Sequence, residues 1–221
     1  MSRIVWVDVF APTPMSGNPL AVILEPEGLD AARMQMLAAE LGLSETVFVF
    51  PPESPEAAAR LRIFTPSREL PMAGSPIVGA AWVIHTAGDM SSDGVVETGV
   101  GPLSVRVSGQ VATMVQAPPE AGPVVDTDEV AAACGVVVAP GQDAQVWSTG
   151  LPQLMLPVAS VDSLEAARPD HQEITRLSER DGWIGVSLYS LSGGDGPRIR
   201  VRVRHFAPAA ARVLPRDHRM A

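Results

Sequence analysis

The sequence predicts an α+β fold in which a sheet wraps a central helix, with that architecture repeated on either side of a linker. Three observations carry the prediction. Many short runs rich in β-branched residues alternate with turn signals. One helix is apolar on every side. A strand ending in Phe-x-Pro occurs once in each half, as Leu61-Arg62-Ile63-Phe64-Thr65-Pro66 and again as Val203-Arg204-His205-Phe206-Ala207-Pro208.

In chain order, residues 4–10 read as a strand. Gly17-Asn18-Pro19 signals a turn, and residues 20–24 a second strand. Residues 29–41 place Met34, Leu37, Ala38 and Leu41 on one helical face, and Gly42 supplies the stop. Residues 46–50 and 61–64 are strands. The helix at 75–87 is the one that is apolar all round, which marks it as buried. Ser75 suits its cap, Pro76 its first turn and Gly88 its end. Strands follow at 95–98, 103–108 and 111–116, the last two joined by a tight turn at Gly109-Gln110 with glycine first.

Ala117-Pro118-Pro119-Glu120-Ala121-Gly122-Pro123 reads as a linker. It separates an N-terminal lobe, 1–117 with central helix 75–87, from a C-terminal lobe, 124–221. The second lobe is expected to hold a helix at 127–134, strands near 145–149 and 154–158, helical turns over 163–179, and strands at 183–191 and 198–205. In the last strand Arg198, Arg200, Arg202 and Arg204 alternate with Ile199, Val201 and Val203. That is a half-buried strand whose basic face is either solvated or anion-attracting.

Composition narrows the function. The chain has 221 residues, 46% hydrophobic and 19% charged, enough for one large core or two small ones. Its net charge of −9 repels phosphate backbones, so no nucleic-acid partner is expected. No run approaches the roughly 20 apolar residues of a membrane span, and residues 1–8 do not read as a signal peptide. A single cysteine, Cys134, leaves no internal disulfide and suits a cytoplasmic location. The four histidines lack metal-ligand spacing, so no metal site is expected. Gly193-Gly194-Asp195-Gly196 reads as a loop between strands.

The motifs point further. Asp8-Val9-Phe10, Gly17-Asn18-Pro19-Leu20-Ala21-Val22, Leu43-Ser44-Glu45-Thr46-Val47-Phe48 and Phe64-Thr65-Pro66 are followed by Glu69-Leu70-Pro71-Met72-Ala73-Gly74-Ser75-Pro76, Ser148-Thr149-Gly150-Leu151-Pro152 and Phe206-Ala207-Pro208. In that order they resemble the PhzF-like family of phenazine biosynthesis, which shares the diaminopimelate-epimerase fold. The resemblance implies two pseudo-symmetric lobes, each a rolled sheet around a central helix, with the active site in the cleft between them. It also implies an isomerase that uses no cofactor, acts on a small carboxylate-bearing metabolite and forms a homodimer. By the same resemblance Glu45 is the acid/base that moves a proton. Gly74 and Ser75, at a buried helix N-terminus, hold the substrate carboxylate. Asn18 and Ser44 are counted with them as substrate-binding residues, and Asn18 reads equally as a turn residue alone. On position alone Glu45 reads first as an exposed loop carboxylate before a strand, and only the surrounding motif turns it into a site residue; Gly74-Ser75 reads also as an ordinary cap and turn.

Two departures from the family pattern qualify the resemblance. The family usually has histidine where Ser75 stands, and serine does not titrate near neutral pH. After Phe-Ala-Pro the family continues with a Glu-Asp-Pro-Ala-Thr-Gly-Ser-like segment that starts the second central helix. Here the chain reads Ala209-Ala210-Ala211-Arg212-Val213-Leu214-Pro215-Arg216-Asp217, so Asp217 is the one candidate for the second-lobe aspartate. The second lobe is therefore expected to be incomplete and to expose apolar sheet. A catalytically degraded relative, acting as a binding or dimerisation module, is the alternative reading.

Overall fold

The computed structural model describes residues 2–192 and 199–208. The chain divides into two compact units, the first ending at Gln116 and the second beginning at Ala117.

The first unit is an eight-stranded sheet. β1 (Arg3–Val9) is antiparallel to β2 (Asn18–Leu24), and β2 is parallel to β3 (Glu45–Phe50) through helix α1 (Ala31–Leu41). β4 (Ala59–Phe64) is antiparallel to β3 and also pairs with the two-residue β5 (Glu69–Leu70). Helix α2 (Gly74–Ala87) then crosses to β6 (Asp93–Thr98), which lies parallel to β4. β7 (Gly101–Ser108) and β8 (Val111–Met114) complete the sheet, joined by a two-residue turn with Gly109 at φ 59°. Glycine takes that dihedral without the steric cost a Cβ would bring.

Strand period 2 sorts the side chains to two faces. On one face Leu20, Val22, Val47, Leu61 and Ile63 pack with Ile77, Ala80, Ala81 and Ile84 of α2. On the other, Ile23, Phe48 and Phe64 pack with Met34 and Ala38 of α1. Each large side chain so buried contributes about 1.5–3 kcal/mol of transfer free energy. The helix lies close to the sheet because Gly79 has no side chain: a Cβ there would stand 2.5 Å from Leu20 Cδ2 and 2.9 Å from Val9 Cγ2. α1 is capped by the Asp30 carboxylate, which accepts from the Arg33 N–H at 2.8 Å, and stops at Gly42, φ 63°.

The second unit is a five-stranded sheet in the order β13-β12-β11-β10-β9. Its elements are β9 (Glu120–Val124), α3 (Thr127–Cys134), β10 (Gln145–Ser148), β11 (Pro152–Pro157), α4 (Val161–Ala166), α5 (His171–Asp181), β12 (Gly185–Ser192) and β13 (Arg200–Phe206). Leu154, Leu156, Val186 and Leu188 form its core with Val130, Cys134, Leu164, Ile174 and Leu177 of the helices. Desolvation in that core pushes the Cys134 thiol up to about 12, so it is an inert apolar residue.

The sheet registers expose the repeat that the Phe-x-Pro echo suggested. β1-β2-β3-β4 and β10-β11-β12-β13 run antiparallel, parallel, antiparallel in turn. Leu20 pairs with Glu45 as Gln153 pairs with Gly185, and Thr46 pairs with Phe64 as Val186 pairs with Phe206. Arg62 lies over the Phe64 ring at 5.3 Å, and Arg204 over the Phe206 ring at 5.1 Å. The face that carries α2 in the first unit has no helix on it among the described residues of the second. Leu191, Val201 and Val203 there are 54%, 51% and 53% exposed.

Three local readings change. Part of the expected linker is strand β9. It sits at the sheet edge, where Pro123 removes no inner-ladder hydrogen bond. The helical turns after Ser160 are two helices, capped by the Ser160 and Asp170 side chains. The basic strand is not half-buried: Val201 and Val203 are exposed along with Arg200 and Arg202, because β13 is an outer strand with one face uncovered. Arg204 is neither simply solvated nor set for an external anion. Its guanidinium donates to the carbonyls of Leu164, Glu165 and Ala167 at 3.0–3.3 Å, satisfying the C-terminal end of α4. The expected loop at Gly193–Gly196 and the candidate Asp217 lie outside the described residues.

Candidate active site

Three element ends of the first unit meet around Glu45. Asn18 opens β2, Glu45 opens β3 in register beside Leu20, and Gly74 and Ser75 open α2. Parallel pairing of β2 and β3 brings both strand starts to the same end of the sheet, and the α2 N-terminus lies there too.

Ser75 is the second residue of α2 and not its cap. Ala73 occupies the cap position in extended conformation, with no side-chain hydrogen bond. The Ser75 hydroxyl is thereby released to face the strands. It accepts from Asn18 Nδ2 at 3.3 Å and hydrogen-bonds to the Glu45 carboxyl. The same Asn18 nitrogen reaches Glu45 Oε2 at 3.4 Å, and Ser44 Oγ donates to Asn18 Oδ1 at 3.2 Å. The Ser44 contact orients the amide, since a hydroxyl donating to Oδ1 turns both N–H groups toward Glu45 and Ser75.

Burial is the main influence on Glu45 and raises its pKa above 4.5; the Asn18 and Ser75 hydrogen bonds oppose it without cancelling it. Such a carboxyl exchanges protons nearer neutral pH than a solvated glutamate.

The first turn of α2 adds donors. Pro76 has no N–H, and the Ile77 N–H bonds to Ala73 O at 3.4 Å. The amides without an intrahelical partner are those of Gly74 and Ser75. A Cβ on Gly74 would meet only Met114 Cε, at 3.5 Å, so neither packing nor a left-handed backbone requires glycine there.

Thus Asn18, Ser44, Glu45 and Ser75 form one hydrogen-bonded cluster, with Gly74 beside it. The site reading missed Asp8. Its Oδ2 accepts from the Ser16 and Gly17 N–H groups at 2.8 and 3.1 Å and so pins the loop that delivers Asn18. An acidic residue inside an otherwise apolar strand was the available signal. Gly17 is needed for the same loop: a Cβ there would lie 2.2 Å from Val9 O. His85, on the far turns of α2, is bonded instead to Met90 O at 3.0 Å. Among the described residues no helix is long and apolar enough to cross a membrane.

Comparison with known proteins follows the same lines. Residues 7–212 match the PhzC-PhzF family model, described as phenazine biosynthesis-like protein. An uncharacterised isomerase of Mesorhizobium japonicum is 35% identical over 82% of this chain and 65% of its own length. The trans-2,3-dihydro-3-hydroxyanthranilate isomerase of Pseudomonas aeruginosa is 32% identical over 95% of this chain and 73% of its own. The chain therefore spans about two thirds to three quarters of these relatives. The crystal structure of a PhzF-family protein from Bacillus anthracis superposes with TM-score 0.78 at 25% identity, covering 96% of this chain and 74% of that one. A hydroxyproline epimerase from Agrobacterium vitis shares the fold alone, with TM-score 0.62 at 11% identity and coverage of 92% and 69%. With its α+β architecture of two sheets and a family match from residue 7 to residue 212, the chain belongs to the PhzF family of phenazine biosynthesis-like proteins, on the fold it shares with the epimerases.

Proposed function

We propose that this chain is an isomerase that moves a proton on a small carboxylate-bearing metabolite, with Glu45 as the general acid/base. The observation that carries the reading is a buried carboxyl of raised pKa, hydrogen-bonded to Asn18 and Ser75 and set beside the unpaired amides of Gly74 and Ser75. Ionised Glu45 removes a proton from a carbon made acidic by an adjacent unsaturated carboxylate system. The electron pair delocalises, and the protonated carboxyl returns the proton at another carbon. The Gly74 and Ser75 amides hold the substrate carboxylate with the α2 dipole behind them. The isomerase names of relatives at 30–35% identity support the class, and the hydroxyanthranilate isomerases among them support a cyclic, unsaturated carboxylate.

The test is incubation with trans-2,3-dihydro-3-hydroxyanthranilate and a panel of small unsaturated carboxylates in deuterated water, read by NMR. Isomerisation or deuterium uptake that disappears in Glu45→Gln is the expected result. Uptake that survives the substitution removes the role given to Glu45. The uncovered sheet face of the second unit favours one further reading, a family member retained for binding or dimerisation. A concentration-dependent dimer with no turnover on the panel would select it.

A further inference from the structure

The repeat sets the two units side by side residue for residue, and they differ most around the position of Glu45. Its counterpart in the second unit is Gly185, by the shared parallel register. Three first-unit core residues surround that position: Leu20, Val47 and Ile63, 0%, 0% and 1% exposed. Their counterparts are Gln153, Ser187 and His205. Three apolar positions beneath a helix have become three polar ones on a face with no helix among the described residues.

Two of these side chains meet, and the third belongs to the strand next to theirs. Ser187 Oγ and His205 Nδ1 are 3.0 Å apart. The imidazole lies over the Gly185 backbone: a Cβ there would stand 2.7 Å from its Cε1 and 2.9 Å from its Nε2. The ring thus fills the space a side chain would take at the Glu45 counterpart. Gln153, the register partner of Gly185, holds its Oε1 buried with no hydrogen-bond partner among the described residues. Neither does His205 Nε2 have one there. A buried carbonyl oxygen without a donor is costly unless something supplies the donor.

We propose that Gln153, Ser187 and His205 form a recognition site for a hydroxyl group on a small ligand. The Ser187 hydroxyl donates to Nδ1, which places the ring proton on Nε2. The ligand hydroxyl accepts from Nε2–H and donates to Gln153 Oε1. One hydroxyl satisfies both groups, which a carboxylate or a methyl does not. Packing of the ring lowers its pKa below 6.5 although the residue keeps an exposed edge, so the neutral form needed here prevails at pH 7. The proposal rests on the isomerase reading only for its choice of probe.

The test uses the full chain and two probes that differ by one hydroxyl, 3-hydroxyanthranilate and anthranilate. His205 imidazole resonances, assigned through His205→Gln, are followed by NMR during titration. Saturable shifts with 3-hydroxyanthranilate are expected, with anthranilate about tenfold weaker. Gln153→Leu installs the first-unit residue and is expected to erase the difference between probes while leaving circular dichroism unchanged. Equal affinity for the two probes, or His205 signals unmoved by either, overturns the proposal. The same titration in Glu45→Gln separates the two readings. A persisting His205 shift without any Glu45-dependent isomerisation removes the isomerase alone, and isomerisation without a His205 shift removes the second-unit site alone.

Discussion

Replacing Asn18 with leucine tests whether it positions Glu45 or merely borders it. The substitution keeps the number and branching of side-chain heavy atoms and removes the Nδ2 donor that reaches both Glu45 Oε2 and Ser75 Oγ. That hydrogen bond favours the ionised carboxyl, and burial already disfavours it. A hydrogen bond to a charged group contributes about 1.5–3 kcal/mol, and 1.36 kcal/mol corresponds to one pKa unit. At 3.4 Å this contact is long, which places it at or below the lower end of that range. Loss of Asn18 should therefore raise the Glu45 pKa by about one unit. If ionised Glu45 is the base, the acidic limb of the kcat/KM profile for deuterium uptake moves up by that amount, with the plateau largely preserved. A carbon-13 titration of the Glu45 carboxyl should give the same displacement without substrate. An Asn18 that only touches substrate would lower kcat/KM at every pH and leave both midpoints in place. That result, or a midpoint that falls, would refute the positioning role.

Other substitutions probe the same end of the first unit. Glu45→Gln should stabilise the fold at neutral pH relative to acid. A folded-state pKa raised above 4.5 means the native state binds more protons than the unfolded chain, so its contribution is complete below that value and lost as pH rises through the folded pKa. Urea denaturation at pH 4 and pH 8 reads the difference, and an advantage that shrinks as pH rises contradicts the assignment. Gly74→Ala should unfold at the same urea concentration as the parent, since its Cβ meets only Met114 at 3.5 Å, yet weaken carboxylate binding in calorimetry. Gly79→Ala would gain about 1 kcal/mol in an open helix, but here the Leu20 and Val9 contacts reverse the sign to a loss of about 1 kcal/mol in equilibrium unfolding.

Patterns set by one stretch of chain were legible in the sequence. The all-apolar α2, the Gly42 and Gly88 helix stops, the Gly109 turn and the Phe-x-Pro echo depend on neighbours a few residues away, and each took the form expected. Features decided by distant partners were not legible. Ser75 looked like a cap because serine caps helices, but the backbone at Ala73 takes that place and the hydroxyl turns to Asn18, 57 positions earlier. β13 looked half-buried because its sequence alternates, but alternation states only that two faces differ. Whether either is covered depends on elements elsewhere: here the valine face is uncovered, while Arg204 and Phe206 of the other face meet α4 and the core. The Arg204 guanidinium met carbonyls about 40 positions away, which no local pattern encodes.

The repeat also explains why the acid/base candidate resides where it does. Both units start a strand at the same point of the same register, but among the described residues only the first lays an apolar helix against that face. Glu45 owes its raised pKa to burial at that end of the first unit. A side chain at Gly185 would have to displace the His205 ring, since a Cβ there would stand 2.7 Å from its Cε1. An imidazole needs no such help, since its ordinary pKa of 6.5 already lies close to neutral. The two units thus place different titratable side chains around one position of a shared scaffold. A carboxyl is tuned by burial where the helix is present, and an imidazole is held by a serine and a glycine where the described residues supply no helix.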